Sequence, residues 1–412
     1  MSWLAAAPAL AAAAYYLLAI VAALRWRGRP VAKQRVHCAG PLPDGRGSSR
    51  VWRAATVRER LRRLFHDQPK LSAGTPSEAA SAPVPVSILK AVHGRDPRFY
   101  DAIRSHARQD YPEFEILFGV GDPDDPALED LARLQREFPS IHIEIAVVSS
   151  QAPNAKVGVL AELARRARHP LLLVNDSDIQ VEPGYLRAVT APLAHPAVGL
   201  VTCLYRARAD SWASRCEALG IATEFTPSVL VARLLGQAEF ALGSTMVFRA
   251  ETLRAVGGFE AIADFLADDY QLGRRISAAG GRIVFAPVVV ETDLGAESWR
   301  QTWRHQVRWA RTIRVSRPGG YFGYAVTHAT VWAAVACAAG QWWCAAAALA
   351  LRLTAGALAG AVLQDRYRTG FWLMPLRDLF GFAVWIAGAT GNTVHWRDRN
   401  LKLLPNGRIA AR

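Results

Sequence analysis

Leu171-Leu172-Leu173-Val174 is an apolar run that stops at Asn175-Asp176-Ser177-Asp178. A run this short and rich in branched residues reads as a strand buried on both faces, which requires a sheet covered by helices on each side. In such sheets ligands gather outside the carboxyl ends of the strands. Two acids one residue apart therefore stand where chemistry is expected. Alternate residues of an extended chain point the same way, and hard oxygens suit Mg²⁺ or Mn²⁺. Asp176 and Asp178 are thus candidate ligands of one divalent cation, shared with the phosphates of a nucleotide substrate. The competing reading is an Asp-Ser-Asp turn that caps the next helix.

The rest of the chain supplies the sheet. Val86–Leu89, Phe114–Phe118, Ile141–Ile145 and Val198–Val201 also read as strands, with helical patterns around Tyr100–Arg108, Pro126–Phe138 and Val157–Arg168. Strands alternating with helices predict an α/β fold with a mostly parallel, Rossmann-like sheet and right-handed crossovers. Neither G-x-G-x-x-G nor a Walker pattern is present, which argues against a dehydrogenase or a P-loop enzyme.

Both ends of the chain are apolar. Trp3–Leu24 is an uncharged stretch of 22 residues, long enough for a bilayer core of ~30 Å. Between Arg25 and Arg63 lie twelve Lys/Arg against Asp44 and Glu59, so the positive-inside rule sets the N-terminus outside and the next segment in the cytoplasm. The formal charge of +14 sits in this cluster and in an Arg-rich stretch from Arg300 to Arg317, both beside apolar segments. That favours anionic headgroups and argues for no nucleic-acid partner. The five cysteines are scattered without a C-x-x-C pair, which fits a reducing compartment.

The expected organisation is a transmembrane helix over 1–24, a basic linker over 25–84, a catalytic domain over 85–318 with an interfacial helix at 296–314, membrane helices over 319–395 and a cytoplasmic tail over 396–412. Within the C-terminal region Tyr324–Ala339 and Trp342–Leu363 read as a helical hairpin, in which Arg352 needs a partner. Phe371–Thr390 is interrupted by Pro375, Arg377 and Asp378 and reads as re-entrant or interfacial.

Further clusters carry candidate chemistry. Lys90 ends the first strand and can meet a phosphate; Asp122, past the second, can accept from a base or ribose, or belong to an acidic turn opening the next helix. Asp268-Asp269 begins a helix, where acids either complement the dipole or take a proton from a hydroxyl. In Trp299–Arg311 the arginines Arg300, Arg304, Arg308 and Arg311 share one helical side, as in a membrane-surface helix, while Arg308 could instead meet a diphosphate leaving group.

Taken in order after a membrane anchor, Asp122, Asp176-x-Asp178, Asp269 and Arg308-Trp309 resemble the family 2/21 type of inverting glycosyltransferases. Val86–Lys90, Asp122–Ala127, Asn175–Ile179 and Ala267–Tyr270 look most like the ceramide glucosyltransferase branch, and within it the bacterial hopanoid biosynthesis-associated enzymes. The resemblance implies a GT-A fold and a UDP-sugar donor. It also implies donor binding by Lys90, Asp122, Asp176, Arg308 and Trp309, metal binding by Asp176 and Asp178, and Asp269 as general base. The Arg-Trp motif commonly begins with Gln or Arg, and here that position is His305. His305, Gly243, Ser244 and Asp268 are acceptor-side candidates.

The expected function is transfer of N-acetylglucosamine from its UDP donor to a hopanoid polyol such as bacteriohopanetetrol at a bacterial inner membrane. The expected topology is multi-pass, with the catalytic domain cytoplasmic. Glucosylation of ceramide is the alternative. A processive polysaccharide synthase and a non-catalytic nucleotide-sugar receptor also remain open.

Overall fold

In the computed structural model, residues 2–27, 83–364, 368–396 and 399–410 are described, and most of the expected linker lies outside them. Seven strands form one sheet in the order β3-β2-β1-β4-β6-β5-β7. They are β1 Val86–Val92, β2 Phe114–Val120, β3 His142–Val147, β4 Leu171–Val174, β5 Val198–Arg208, β6 Met246–Arg249 and β7 Arg282–Asp293. β1 lies parallel to both β2 and β4, β2 parallel to β3, and β5 parallel to β7, while β6 runs antiparallel between β4 and β5. Val198–Val201 is thus only the start of a longer strand.

The strands are apolar on both sides because both sides are covered. In β4, Leu171 and Leu173 enter one core with helices Phe99–Ala107, Ala127–Glu137 and Tyr185–Thr190. Leu172 and Val174 enter another with helices Ala155–Arg166 and Asp268–Ala278. Each such side chain contributes about 1.5–3 kcal/mol over its exposed state. Chain order reverses at β1: β2 and β3 extend to one side and β4 lies on the other. Ligands of open α/β sheets bind outside the strand ends at such a reversal, and Lys90, near the end of β1, and Asp176, just past β4, both lie there.

Among the described residues, three helices are long and apolar enough to cross a membrane: Ala5–Trp26, Trp342–Val362 and Gly370–Ala389. Small residues let the first two of these approach each other and a shorter apolar helix closely, with Ala9 packed among Ala333, Ala336, Ala345 and Ala348, and Ala12 and Ala19 among Ala329 and Ala355. Tyr324–Ala339 is not one helix. A 3-10 turn, Tyr324–Thr327, precedes the helix Ala329–Ala338.

Pro375, Arg377 and Asp378 do not break the last apolar segment, because they open the helix Met374–Ala389 and their charges are buried in pairs. Arg352 meets Asp378 through Nη2 to Oδ1 at 2.7 Å, and Arg377 Nη2 lies 2.9 Å from Glu224 Oε2. Arg352 Nη1 also donates to Thr223 O at 2.7 Å. That carbonyl is four residues before Pro227, which has no N–H to give it. The chain there widens into a π-turn, Ile221–Phe225, between helices Trp212–Gly220 and Thr226–Leu234.

The arginines of helix Trp299–Ser316 are partly engaged by protein. Arg311 donates to Thr390 O at 3.1 Å and Arg314 to Gly388 O at 2.8 Å. These carbonyls follow or end the helix Met374–Ala389, where cations are favourable. The described part of the segment 396–412 pairs with other parts of the chain. β8 Thr393–Trp396 and β9 Arg399–Lys402 pair as a hairpin, and Arg408 bridges to Phe265.

Candidate active site

The acids after β4 are held from several directions. Asn175 Nδ2 donates to His106 Nε2 at 2.7 Å, while His106 Nδ1 bonds Ala102 O at 3.0 Å. Burial, followed by the charge of Lys90, keeps His106 well below the usual histidine range, so it is neutral and its Nε2 can accept. Ser177 Oγ donates to Asp96 Oδ2 at 2.7 Å, tying the turn to the loop after β1. Thr292, near the end of β7, donates to Asp178. Asp178 is pushed up to about 7, first by burial and then by the charge of Asp176.

Lys90 is fully buried and reaches the same turn, with Nζ 3.1 Å from Asp176 O. Burial lowers it to about 7, against the pull of Asp178 and Asp176. Lys156, not singled out in the sequence, sits closest to the acids. Its Nζ lies 2.8 Å from Asp176 Oδ1 and 3.1 Å from Asp268 Oδ2. Burial alone would lower it, but Asp176, Asp268 and Asp269 outweigh that and raise it. The signal for it was Asn154, the cap that starts its helix by accepting from Val157 N.

Asp269 stands opposite Asp176. Its Oδ2 accepts from Gly243 N at 2.9 Å and its Oδ1 from Tyr270 N at 2.7 Å. Burial and then the neighbouring Asp268 raise it to about 6, with Lys156 pulling the other way. Gly243 lies between the two acids: a Cβ there would be 3.1 Å from Asp176 Oδ2 and 3.5 Å from Asp269 Oδ2. Ser244 faces elsewhere, buried and donating to Cys203 O at 3.3 Å. Gly257 and Gly258 have φ of 92° and 70° and make a turn, while Phe259 packs in the core.

Asp122 is exposed past β2, its Oδ1 accepting from Asp124 N at 2.9 Å. The buried acid of that loop is Asp125, which holds Gly94 N and Ala127 N at 2.8 and 2.9 Å. Asp125 thus caps the following helix and leaves Asp122 facing solvent.

His305 and Trp309 flank a second cluster, their rings 4.7 Å apart. His305 Nδ1 is 2.7 Å from Oε1 of the fully buried Glu217. Glu217, Glu297 and His305 bring ligand-type atoms within 4.8 Å of one another. Arg308 is half-buried and its charge pulls on Glu297. Tyr205 links this cluster to the first. Burial and then the charges of Glu217, Asp269, Asp176 and Asp178 hold its hydroxyl well above the usual range.

A mostly parallel sheet with acids at its topological switch, joined to apolar helices long enough to cross a membrane, is a GT-A domain set in a membrane protein. The chain belongs to glycosyl transferase family 21, whose model matches residues 52–409. Ceramide glucosyltransferase 1 of Caenorhabditis elegans is 28% identical over 198 residues, 47% of this chain and 42% of the relative. Ceramide glucosyltransferase of Komagataella phaffii is 32% identical over 126 residues, 28% of this chain and 25% of that one. The chain spans less than half the length of these curated relatives. Among solved structures, the mannosyltransferase PcManGT from Pyrobaculum calidifontis in complex with GDP-Man and Mn²⁺ overlaps 93% of this chain and 97% of its own, at 18% identity and a TM-score of 0.49.

Proposed function

We propose that this chain is an inverting hexosyltransferase that moves N-acetylglucosamine from its UDP donor to a hydroxyl of a hopanoid polyol such as bacteriohopanetetrol. The observation that carries the reading is the confrontation of Asp269 and Asp176 across Gly243, which has no side chain of its own to fill the space. One is a carboxyl raised to about 6, suited to take a proton near neutrality. The other belongs to the acid pair at the nucleotide end of the sheet.

In the proposed reaction the acceptor oxygen attacks the anomeric carbon opposite the UDP as Asp269 takes its proton. The bond from that carbon to the diphosphate oxygen breaks as the new one forms, so the configuration inverts. Lys90, Lys156 and Arg308 offer positive charge to the departing diphosphate. Asp122 is assigned to the uridine, and Trp309 flanks the donor.

Asp176 and Asp178 would hold a divalent cation, Mg²⁺ or Mn²⁺. The fit rests on their chemistry: hard carboxylates whose mutual repulsion helps lift Asp178 to about 7. When bound, such an ion supplies Lewis-acid stabilisation of the diphosphate.

The location proposed is a bacterial inner membrane with the catalytic domain cytoplasmic, supported by the basic cluster after the first apolar helix. A lipid alcohol then reaches the site from the membrane surface. Glucosylation of ceramide is the second reading, favoured by the names of the curated relatives.

The test is mass spectrometry of lipids from cells that carry both acceptors and express wild type or Asp269→Asn. A hexosamine on the hopanoid, absent in the variant, supports the reading. A hexose on ceramide moves the substrate, and no new glycolipid overturns both.

A further inference from the structure

A cavity of about 110 Å³ lies between the helix Trp299–Ser316 and the helix Met374–Ala389. Phe225, Trp309, Ile313 and Trp385 make its apolar wall, and Glu224, Gln306 and Arg377 its polar part. An apolar wall with a few convergent polar groups is the composition of a small-molecule site.

The polar part is incompletely satisfied. Arg377 Nη2 lies 2.9 Å from Glu224 Oε2 and donates to Gln306 Oε1 at 3.0 Å. Its Nε and Nη1 are buried and donate to nothing among the described residues. Buried donors are rarely left so unless something else meets them. Glycines let the guanidinium sit close to the helix Trp212–Gly220 and to its own helix Met374–Ala389: a Cβ at Gly220 would lie 2.3 Å from Nε, and one at Gly381 3.0 Å from Nη1.

The aromatic wall of the cavity packs toward the acids. Trp309 lies 6.4 Å from Phe225, and Phe225 lies 5.5 Å from Tyr205, ring centre to ring centre. Tyr205 is the ring that feels the charges of Asp269 and Asp176. Tyr205 thus stands between Phe225 of the cavity wall and the acid cluster.

We propose that this cavity holds the hydroxyl-bearing segment of the lipid acceptor, with Arg377 donating to its non-reacting hydroxyls, Gln306 and Glu224 accepting from them, and the aromatic wall meeting the adjoining hydrocarbon. The inference rests on the lipid-glycosylating reading above and adds where the lipid is gripped. The volume is that of about three to four waters, so it takes a short segment while the rest of the lipid stays in the bilayer. A hopanoid polyol and a ceramide share this chemistry.

The test is steady-state kinetics of the full chain in detergent–lipid micelles, with bacteriohopanetetrol or ceramide as acceptor. Ile313→Trp fills the cavity from a rim position that is 48% exposed, where the fold tolerates bulk. Acceptor KM should rise roughly tenfold, with donor KM and kcat nearly unchanged, and only for the lipid that is the true acceptor. A second readout is photolabelling by that acceptor carrying a diazirine beside its head group, expected on peptides from 299–316 and 374–389. Unmoved acceptor KM in the presence of wild-type turnover, or labelling confined to other segments, overturns the cavity's role and leaves the glycosylating reading standing. A wild type that glycosylates neither lipid overturns both.

Discussion

Two regions of this molecule bury charge, and they balance it differently. Between the membrane-candidate helices, Arg352 and Asp378 are each 1% exposed and matched one to one, with Thr223 and Thr330 completing their hydrogen bonds. At the sheet's carboxyl edge, Asp176, Asp178, Asp268 and Asp269 crowd around Lys90 and Lys156, more acids than bases. There Asp178 and Asp269 are raised to about 7 and about 6. Arg352 and Asp378 spend their hydrogen bonds on each other and on the two threonines, whereas an acid excess is held in place by the fold until a cation or a proton relieves it. The first region serves architecture and the second is poised for chemistry.

The comparison breaks most sharply at Asp269. Asp269→Asn keeps the shape and one of the two backbone hydrogen bonds, since its amide NH2 cannot accept as the second carboxylate oxygen does; it also cannot take a proton, so kcat should fall by ~10²–10⁴. UDP affinity measured by calorimetry should stay within about twofold of wild type. A large loss of UDP affinity would make Asp269 a donor ligand instead.

In the matched region the loss should fall on stability. Asp378→Asn leaves Arg352 buried without its counter-charge and should destabilise the chain by about 3–5 kcal/mol, seen as a lower midpoint in detergent thermal unfolding. Arg352→Met with Asp378→Leu removes both charges and should recover much of that loss. A double variant as unstable as the single one would mean that the pair does more than neutralise itself.

Gly243→Ala tests how closely the excess acids must approach. Its methyl would sit 3.1 Å from Asp176 Oδ2, and relief of such overpacking typically takes about 1–3 kcal/mol. Turnover should drop more than UDP affinity, because the intrusion falls between donor side and base. Unchanged turnover would show that the two acids do not act on one reaction centre.

The same contrast explains what could be read from sequence. Buried strands announce themselves by composition, so β1, β2 and β4 and the acids that end them were legible. β6 and β7 were not: β6 is only the four residues Met246–Arg249, β7 carries Pro287 within its apolar run, and the partners of both lie far away in sequence. Lys156 was missed because a lysine in the first turn of an amphipathic helix looks solvent-facing until the sheet brings Asp176 and Asp268 around it. Pro375, Arg377 and Asp378 looked like an interruption because their partners, Glu224 and Arg352, come from other segments. Local pattern reveals where a strand stops, but charge compensation across the fold is a tertiary property.

The smallest effect is the most diagnostic of the acid excess. Asp269 is raised to about 6 by burial and by Asp268, and lowered by Lys156. The base form exists above that value and is lost as pH falls through it, so kcat should decrease roughly twofold from pH 7 to pH 6 and about tenfold per unit below. Lys156→Met removes the nearest positive charge, which favours the protonated acid, and should move the midpoint to higher pH. The shift should appear in single-turnover rates at saturating donor, where binding no longer contributes. If the midpoint stays fixed in Lys156→Met while Asp269→Asn abolishes the titration, Lys156 does not set the protonation of Asp269, and the excess of acids is balanced by something other than the lysine wedged among them.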